Sequence, residues 1–295
     1  MVFLYCILRS MMKSLKFNLI STLLISFCLI LAACGVTKQE MGMNINLAGK
    51  QRMLTQKMSK EILLIAKGIN VTENQNHLHQ TAILFNQTII GLFNGDSDLG
   101  LVKIENPHIV QQLNRVAELW KGFRENVDTV LTGNTSTAVL NKTAQQNMPL
   151  LREMNKVVKM YERRSRSNLE PSMGVTINLA GKQRMLTQKM TKELLLVAIG
   201  IEPAANQARL KKTMFQFERT LAGLLDGDAE LGLPGTFEPA IHAQLMLVKK
   251  LWNRYKPILT KSKVSQADLV TASQLNLPLL KEMDKAVQMY VDSVK

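Results

Sequence analysis

Residues 45–58, Ile-Asn-Leu-Ala-Gly-Lys-Gln-Arg-Met-Leu-Thr-Gln-Lys-Met, return without one change at residues 177–190. The likeness continues more loosely through Lys60-Glu61 and Lys192-Glu193, Leu63-Leu64 and Leu195-Leu196, and Gly68-Ile69 and Gly200-Ile201. Elsewhere the halves keep hydrophobic type while the letters drift, which is what packing alone permits. In the repeated segment polar letters are held too, so something beyond a core fixes them.

The pattern of each half is helical. Leu47, Leu54, Met58, Ile62, Ile65 and Ile69 recur at spacings of three, four and seven, the mark of an amphipathic helix with one buried face. This predicts a first helix over 41–69, with Thr72 capping the next. A second helix carries Leu78, Phe85, Ile89 and Phe93 and closes at Asn94-Gly95, answered by Asp226-Gly227. A third begins at Asn106-Pro107 and Glu238-Pro239 and holds Trp120 and Trp252. A fourth contains Asn147-x-Pro149 and Asn276-x-Pro278, where an interior proline predicts a kink. Few aromatics and many Leu, Met, Lys and Gln agree with an all-α chain of 295 residues. The expected architecture is two tandem four-helix bundles, over 41–168 and 172–295.

Residues 1–33 read as a signal peptide: Lys13 and Lys16 precede a nearly unbroken apolar run from Phe17 to Leu31. Leu31-Ala32-Ala33-Cys34 resembles the bacterial lipobox, which implies cleavage before Cys34, a lipid on its thiol, and a lipidated tether over 34–40. The competing reading is an uncleaved signal anchor. Gly35 stands where an aspartate would mark inner-membrane retention, so the resemblance implies the periplasmic face of the outer membrane. Cys34 is the one cysteine left in the mature chain, so neither a disulfide framework nor a thiol nucleophile is expected.

The formal charge is +14, which favours an acidic partner, anionic lipid or a small anion. Nucleic acid is disfavoured by export and by the lack of an aromatic and basic stacking platform. Within the repeat, Ala48, Gly49, Arg52 and Gln56 share one helix side, with Asn46 one turn before Gly49. Glycine lets another backbone approach, and arginine brings a fixed fork of donors suited to oxyanions. The plainer reading is a packing notch beside an arginine that pairs with a carboxylate or points to water. Met53, Met58, Met185 and Met190 read as core, not as a thioether metal site. The acidic loops 96–101 and 228–233 lack EF-hand spacing and read as helix terminators.

Asn-x-Ala-Gly-x-x-Arg-Met, at Asn46 to Met53 and at Asn178 to Met185, resembles the hallmark of PilJ-type domains, the N-terminal sensor domains of type IV pili methyl-accepting chemotaxis transducers. It is similar also to the corresponding box of NarX-type nitrate and nitrite sensor kinases. The resemblance implies a periplasmic four-helix bundle in which nitrate or nitrite sits between two first helices. The contacts it implies here are Arg52 and Arg184, with Gly49 and Gly181 giving close approach and Asn46 and Asn178 as further ligands. Two arrangements satisfy it: Arg52 with Arg184 in one chain, or each arginine with its equivalent in a homodimer. The partners it implies are a chemoreceptor, a sensor kinase or a pilus-associated protein.

Two function classes follow: a lipid-anchored module that binds a small oxyanion, and a structural envelope adaptor with no small-molecule ligand. Catalysis, a cofactor and a metal are not expected. His77, His79, His108 and His242 have no counterparts at matching positions, and no zinc spacing, serine elbow or phosphate loop occurs.

Overall fold

The computed structural model describes residues 36–294. The expected signal peptide over 1–33 and Cys34 therefore lie outside the described residues. Eight α-helices follow in order: α1 (Lys38–Ala66), α2 (Val71–Asn94), α3 (Pro107–Leu131), α4 (Thr137–Ser165), α5 (Pro171–Ile199), α6 (Pro203–Asp226), α7 (Pro239–Leu259) and α8 (Gln266–Asp292). The fold is all-α, and the only ladders among the described residues are the isolated bridges Asp96 to Leu101 and Asp228 to Leu233. None of these helices is long and apolar enough to cross a membrane.

Each half is a four-helix set, and the two sets meet along α1 and α5, the most extensive helix-helix contact among the described residues. Around α1 stand α2, α4 and α5, and around α5 stand α6, α8 and α1. This changes the expectation of one buried face for the first helix. Leu54, Met58 and Ile62 are buried toward the bundle, but so are Asn44, Gln51, Gln56, Lys60 and Glu61 on other sides. A helix enclosed by two bundles has no solvent side to which polar residues can be consigned, so they must find partners inside.

The aromatic anchors repeat. Phe85 lies 4.4 Å from Trp120, and Phe217 lies 4.7 Å from Trp252, ring centre to ring centre. Gln51 donates to the Phe85 carbonyl and Gln183 to the Phe217 carbonyl, both at 2.8 Å. Each first helix is thus tied to its second beside the largest rings. Met53, Met58, Met185 and Met190 are buried in the core.

Local signals fare unevenly. Pro107 and Pro239 open their helices, with Asn106 and Glu238 accepting backbone N–H bonds as caps. Thr72 is not a cap: the helix starts one residue earlier, after Asn70 in left-handed backbone at φ 43°. The first helix also starts and ends about one turn earlier than its periodicity suggests. Both α4 and α8 remain helical through Pro149 and Pro278. Two residues before each proline, an asparagine side chain donates to a first-helix carbonyl, Asn147 to Thr55 and Asn276 to Thr187, both at 2.8 Å. The acidic loops fold back on their own helix ends, where Asp96 and Leu101 exchange both backbone hydrogen bonds at 2.8 Å. Among the described residues no three His, Cys, Asp or Glu side chains gather to hold a metal.

Candidate functional site

The repeated segment lies at the α1–α5 seam. Along each helix Asn46, Gly49, Arg52, Gln56 and Lys60, and likewise Asn178, Gly181, Arg184, Gln188 and Lys192, step at three or four residues, so each set forms one stripe. The stripes face each other, and the centre of the molecule is polar as a result.

Both motif arginines are 1% exposed. A methyl carbon on Gly49 would lie 3.4 Å from Nη2 of Arg52 and 3.7 Å from Nη2 of Arg184. On Gly181 it would lie 3.3 Å from Nη2 of Arg184 and 3.8 Å from Nη2 of Arg52. The two glycine notches therefore hold both guanidinium tips in one small space within a single chain. Arg52 and Arg184 of the same chain thus lie side by side.

Each arginine also crosses the seam. Nη2 of Arg52 donates to the Asn178 carbonyl at 3.1 Å, and Nη2 of Arg184 donates to the carbonyl and Oδ1 of Asn46 at 3.0 and 2.8 Å. Within its own half, Nη1 of Arg52 donates to Oδ1 of Asn155 at 2.9 Å, while Nη1 of Arg184 forms an ion pair with Asp284. The Asn46 amide donates to Gln288 at 3.3 Å, and the Asn178 amide donates to Glu162. The Nε atoms of both arginines and Oδ1 of Asn178 are buried with no hydrogen-bond partner.

The electrostatics follow from this geometry. Burial, reinforced by the Arg184 charge and partly offset by Glu162, pulls the Arg52 guanidinium down to about 9. Burial raises the Asp284 carboxyl, but Arg184 and Lys50 outweigh it and hold the group below its usual range. Two cations in a low-dielectric seam with one direct carboxylate partner retain positive potential.

About two turns further on, the seam holds a second pair of cations. Lys192 is buried and donates to Gln56 at 2.8 Å and Asn147 at 2.9 Å, while Lys60 donates to Asn276 at 3.2 Å. Burial lowers Lys192 to about 7 and Lys60 to about 8, with the neighbouring Glu193 and Glu61 opposing that shift. Each lysine thus reaches the asparagine of the Asn-x-Pro element in the other half.

All six motif residues singled out from sequence, Asn46, Gly49, Arg52, Asn178, Gly181 and Arg184, come together here. Asn155, Asp284, Glu162 and the two lysines were not singled out. Lys60-Glu61 and Asn147-x-Pro149 did recur in the second half, and that recurrence in polar letters was the available signal.

The sequence profile of the family described as type IV pili methyl-accepting chemotaxis transducer N-terminal domains, PilJ, matches residues 37–146 and again 170–277. The chain is also 39% identical over 116 residues to the methyl-accepting chemotaxis protein McpN of Pseudomonas aeruginosa. That alignment covers 39% of this chain and 21% of McpN, so the chain matches about a fifth of its relative's length. With two matches that together span most of its length, the chain belongs to the PilJ family and carries the domain in tandem.

Proposed function

We propose that this protein is a sensory module in which its two PilJ units, over 41–168 and 172–295, jointly hold a small oxyanion of the nitrate or nitrite kind between Arg52 and Arg184. The observation that carries the reading is the convergence of both Nη2 atoms on the same pair of glycine notches. Two unpartnered Nε donors in the same buried arginines add capacity for an acceptor. An anion would relieve the repulsion between the guanidinium groups, and charge-assisted bonds in a dry seam are strong. Because the two stripes belong to different bundles, an anion between them would change how the bundles meet, which is a state a partner can read.

On this reading the mature protein is anchored through lipidated Cys34 at the periplasmic face of the envelope, on the outer membrane, and reports to a chemoreceptor, a sensor kinase or a pilus-associated protein. Titration calorimetry with nitrate and nitrite tests the ligand. Binding is expected in the native protein and lost in Arg52→Ala and Arg184→Ala; heat unchanged in the double variant rejects the reading.

A second reading has its own observation. Each arginine already donates to a backbone carbonyl of the opposite half, which suits a clasp in an envelope adaptor that binds no small molecule. The adaptor predicts that millimolar nitrate, nitrite and related oxyanions leave the melting temperature where it was, because a ligand specific for the folded state must raise it.

A further inference from the structure

Beside the seam, a groove of about 450 Å³ runs between α4 and α5. Its lining includes Arg52, Arg152, Lys156, Lys159, Lys182 and Lys189, and no carboxylate. Lys156 pairs with Glu153 and Lys189 with Glu193. Arg52, Arg152, Lys159 and Lys182 form no salt bridge among the described residues.

The duplication supplies an internal control. The equivalent groove, between α1 and α8, is smaller at about 310 Å³ and is lined by Lys50, Lys57, Lys281 and Asp284. There the carboxylate of Asp284 pairs with Arg184. At the equivalent position the first half has Asn155, which offers Arg52 an amide oxygen and no charge. Lys159 likewise stands where the second half has Gln288. At these two positions the first half thus carries one negative charge fewer and one positive charge more, while Glu162, which does not line the groove, stands where the second half has Val291. The crowding is felt at Lys182, whose ammonium is lowered by burial and then by Arg52, Lys159 and Lys189.

We propose that the α4–α5 groove is a second anion site, next to the arginine seam and sharing Arg52 and Asn178 with it, and that it takes a multiply charged anion of the phosphate class where the other half has a built-in carboxylate. Its cations come from α4 and α5, with Arg52 reaching in from α1, so a multiply charged anion can draw on more than one helix, and the space exceeds what a nitrate-sized ion fills. Phosphate oxygens accept from lysine and arginine alike. Arg184 does not line this groove, so the site can be separated from the seam by mutation.

The test is calorimetry of the full mature chain with inorganic phosphate and pyrophosphate. Binding is expected in the native protein and in Arg184→Ala, and at least about tenfold weaker in Arg152→Gln/Lys182→Gln, where two charge-assisted contacts are removed. Asn155→Asp places in the first half the residue the second half already has, so it should fold, and it should compete with the ligand and abolish binding. The Arg152→Gln/Lys182→Gln protein should still give the nitrate response assigned to the seam, so failure of one site is distinguishable from failure of the other. Flotation with phosphatidylglycerol vesicles separates the sources. Vesicle binding lost in Arg152→Gln/Lys182→Gln assigns the phosphate to a lipid headgroup, and phosphate binding without flotation makes it a soluble ligand. Absence of both, phosphate binding unchanged in Asn155→Asp and Arg152→Gln/Lys182→Gln, or phosphate binding lost in Arg184→Ala would overturn the proposal.

Discussion

Asn155 and Asp284 occupy equivalent places on α4 and α8, and each accepts from Nη1 of the motif arginine in its own half, one as a neutral amide and the other as a carboxylate. A molecule built from two copies of one unit is therefore electrostatically lopsided at its centre. The side chain of Asp284 is 43% exposed while that of Arg184 is 1% exposed, so the pair lies between a surface bridge and a buried one.

Asp284→Asn makes both halves amide-based and leaves Arg184 without its carboxylate. The expected cost is roughly 1–3 kcal/mol, between the values for exposed and buried pairs, measured by urea unfolding at neutral pH. The folded-state carboxyl is depressed, so the pair's contribution is present above the unfolded pKa and is lost as pH falls through the lower folded value. The difference between native and variant proteins should accordingly vanish in strong acid. An equal difference at neutral and strongly acidic pH would contradict the pairing.

Lys60 and Lys192 give a slope of the same sign in a higher pH window. Their folded-state values, about 8 and about 7, lie below the ordinary lysine value, so the unfolded chain holds protons that the native protein has released. Stability should then rise with pH from about 7 toward the lysine range. Below pH 7 both states are protonated and the burial penalty is fully present. Melting curves between pH 6 and 9 should show this rise in the native protein and a flattened profile in Lys60→Met/Lys192→Met. An unchanged slope in that variant would place the titration elsewhere.

Gly49 and Gly181 are helix-interior glycines, where alanine ordinarily gains about 0.5–1 kcal/mol. Here the added methyl would meet guanidinium nitrogens at 3.3 to 3.8 Å, so crowding offsets the gain. Gly49→Ala/Gly181→Ala is expected to melt within a few degrees of the native protein and to lose most of its response to nitrate. Full retention of that response would show that the notch is only a packing device.

The ring pairs should carry stability without function. Phe85 and Phe217 are both fully buried, and Phe85→Ala or Phe217→Ala should each cost about 3–5 kcal/mol in chemical denaturation. A loss under 1 kcal/mol would mean that the halves do not each hold a full core.

Much of the fold was legible because its signals are local. Spacing of apolar residues such as Leu54, Met58 and Ile62 marks a helix, and Pro107 and Pro239 mark where one begins. The motif residues of the seam were legible because the duplication held polar letters such as Asn46 and Arg52 in both copies. What periodicity could not convey was the enclosure of α1 and α5, since a hydrophobic stripe reports burial on one face and says nothing of a second bundle covering the other. Nothing in the spacing therefore marked Lys60 and Lys192 as buried. Asn155 and Asp284 escaped notice for the reverse reason: they differ between the halves, and only packing against Arg52 and Arg184 reveals what the difference does.

The most direct measurement is the stoichiometry of nitrate binding with the solution mass determined alongside. A site closed by Arg52 and Arg184 of one chain predicts one nitrate per chain in a monomer, lost on either Arg52→Ala or Arg184→Ala. One nitrate per two chains, appearing only with dimerisation, or no binding at all, would contradict it.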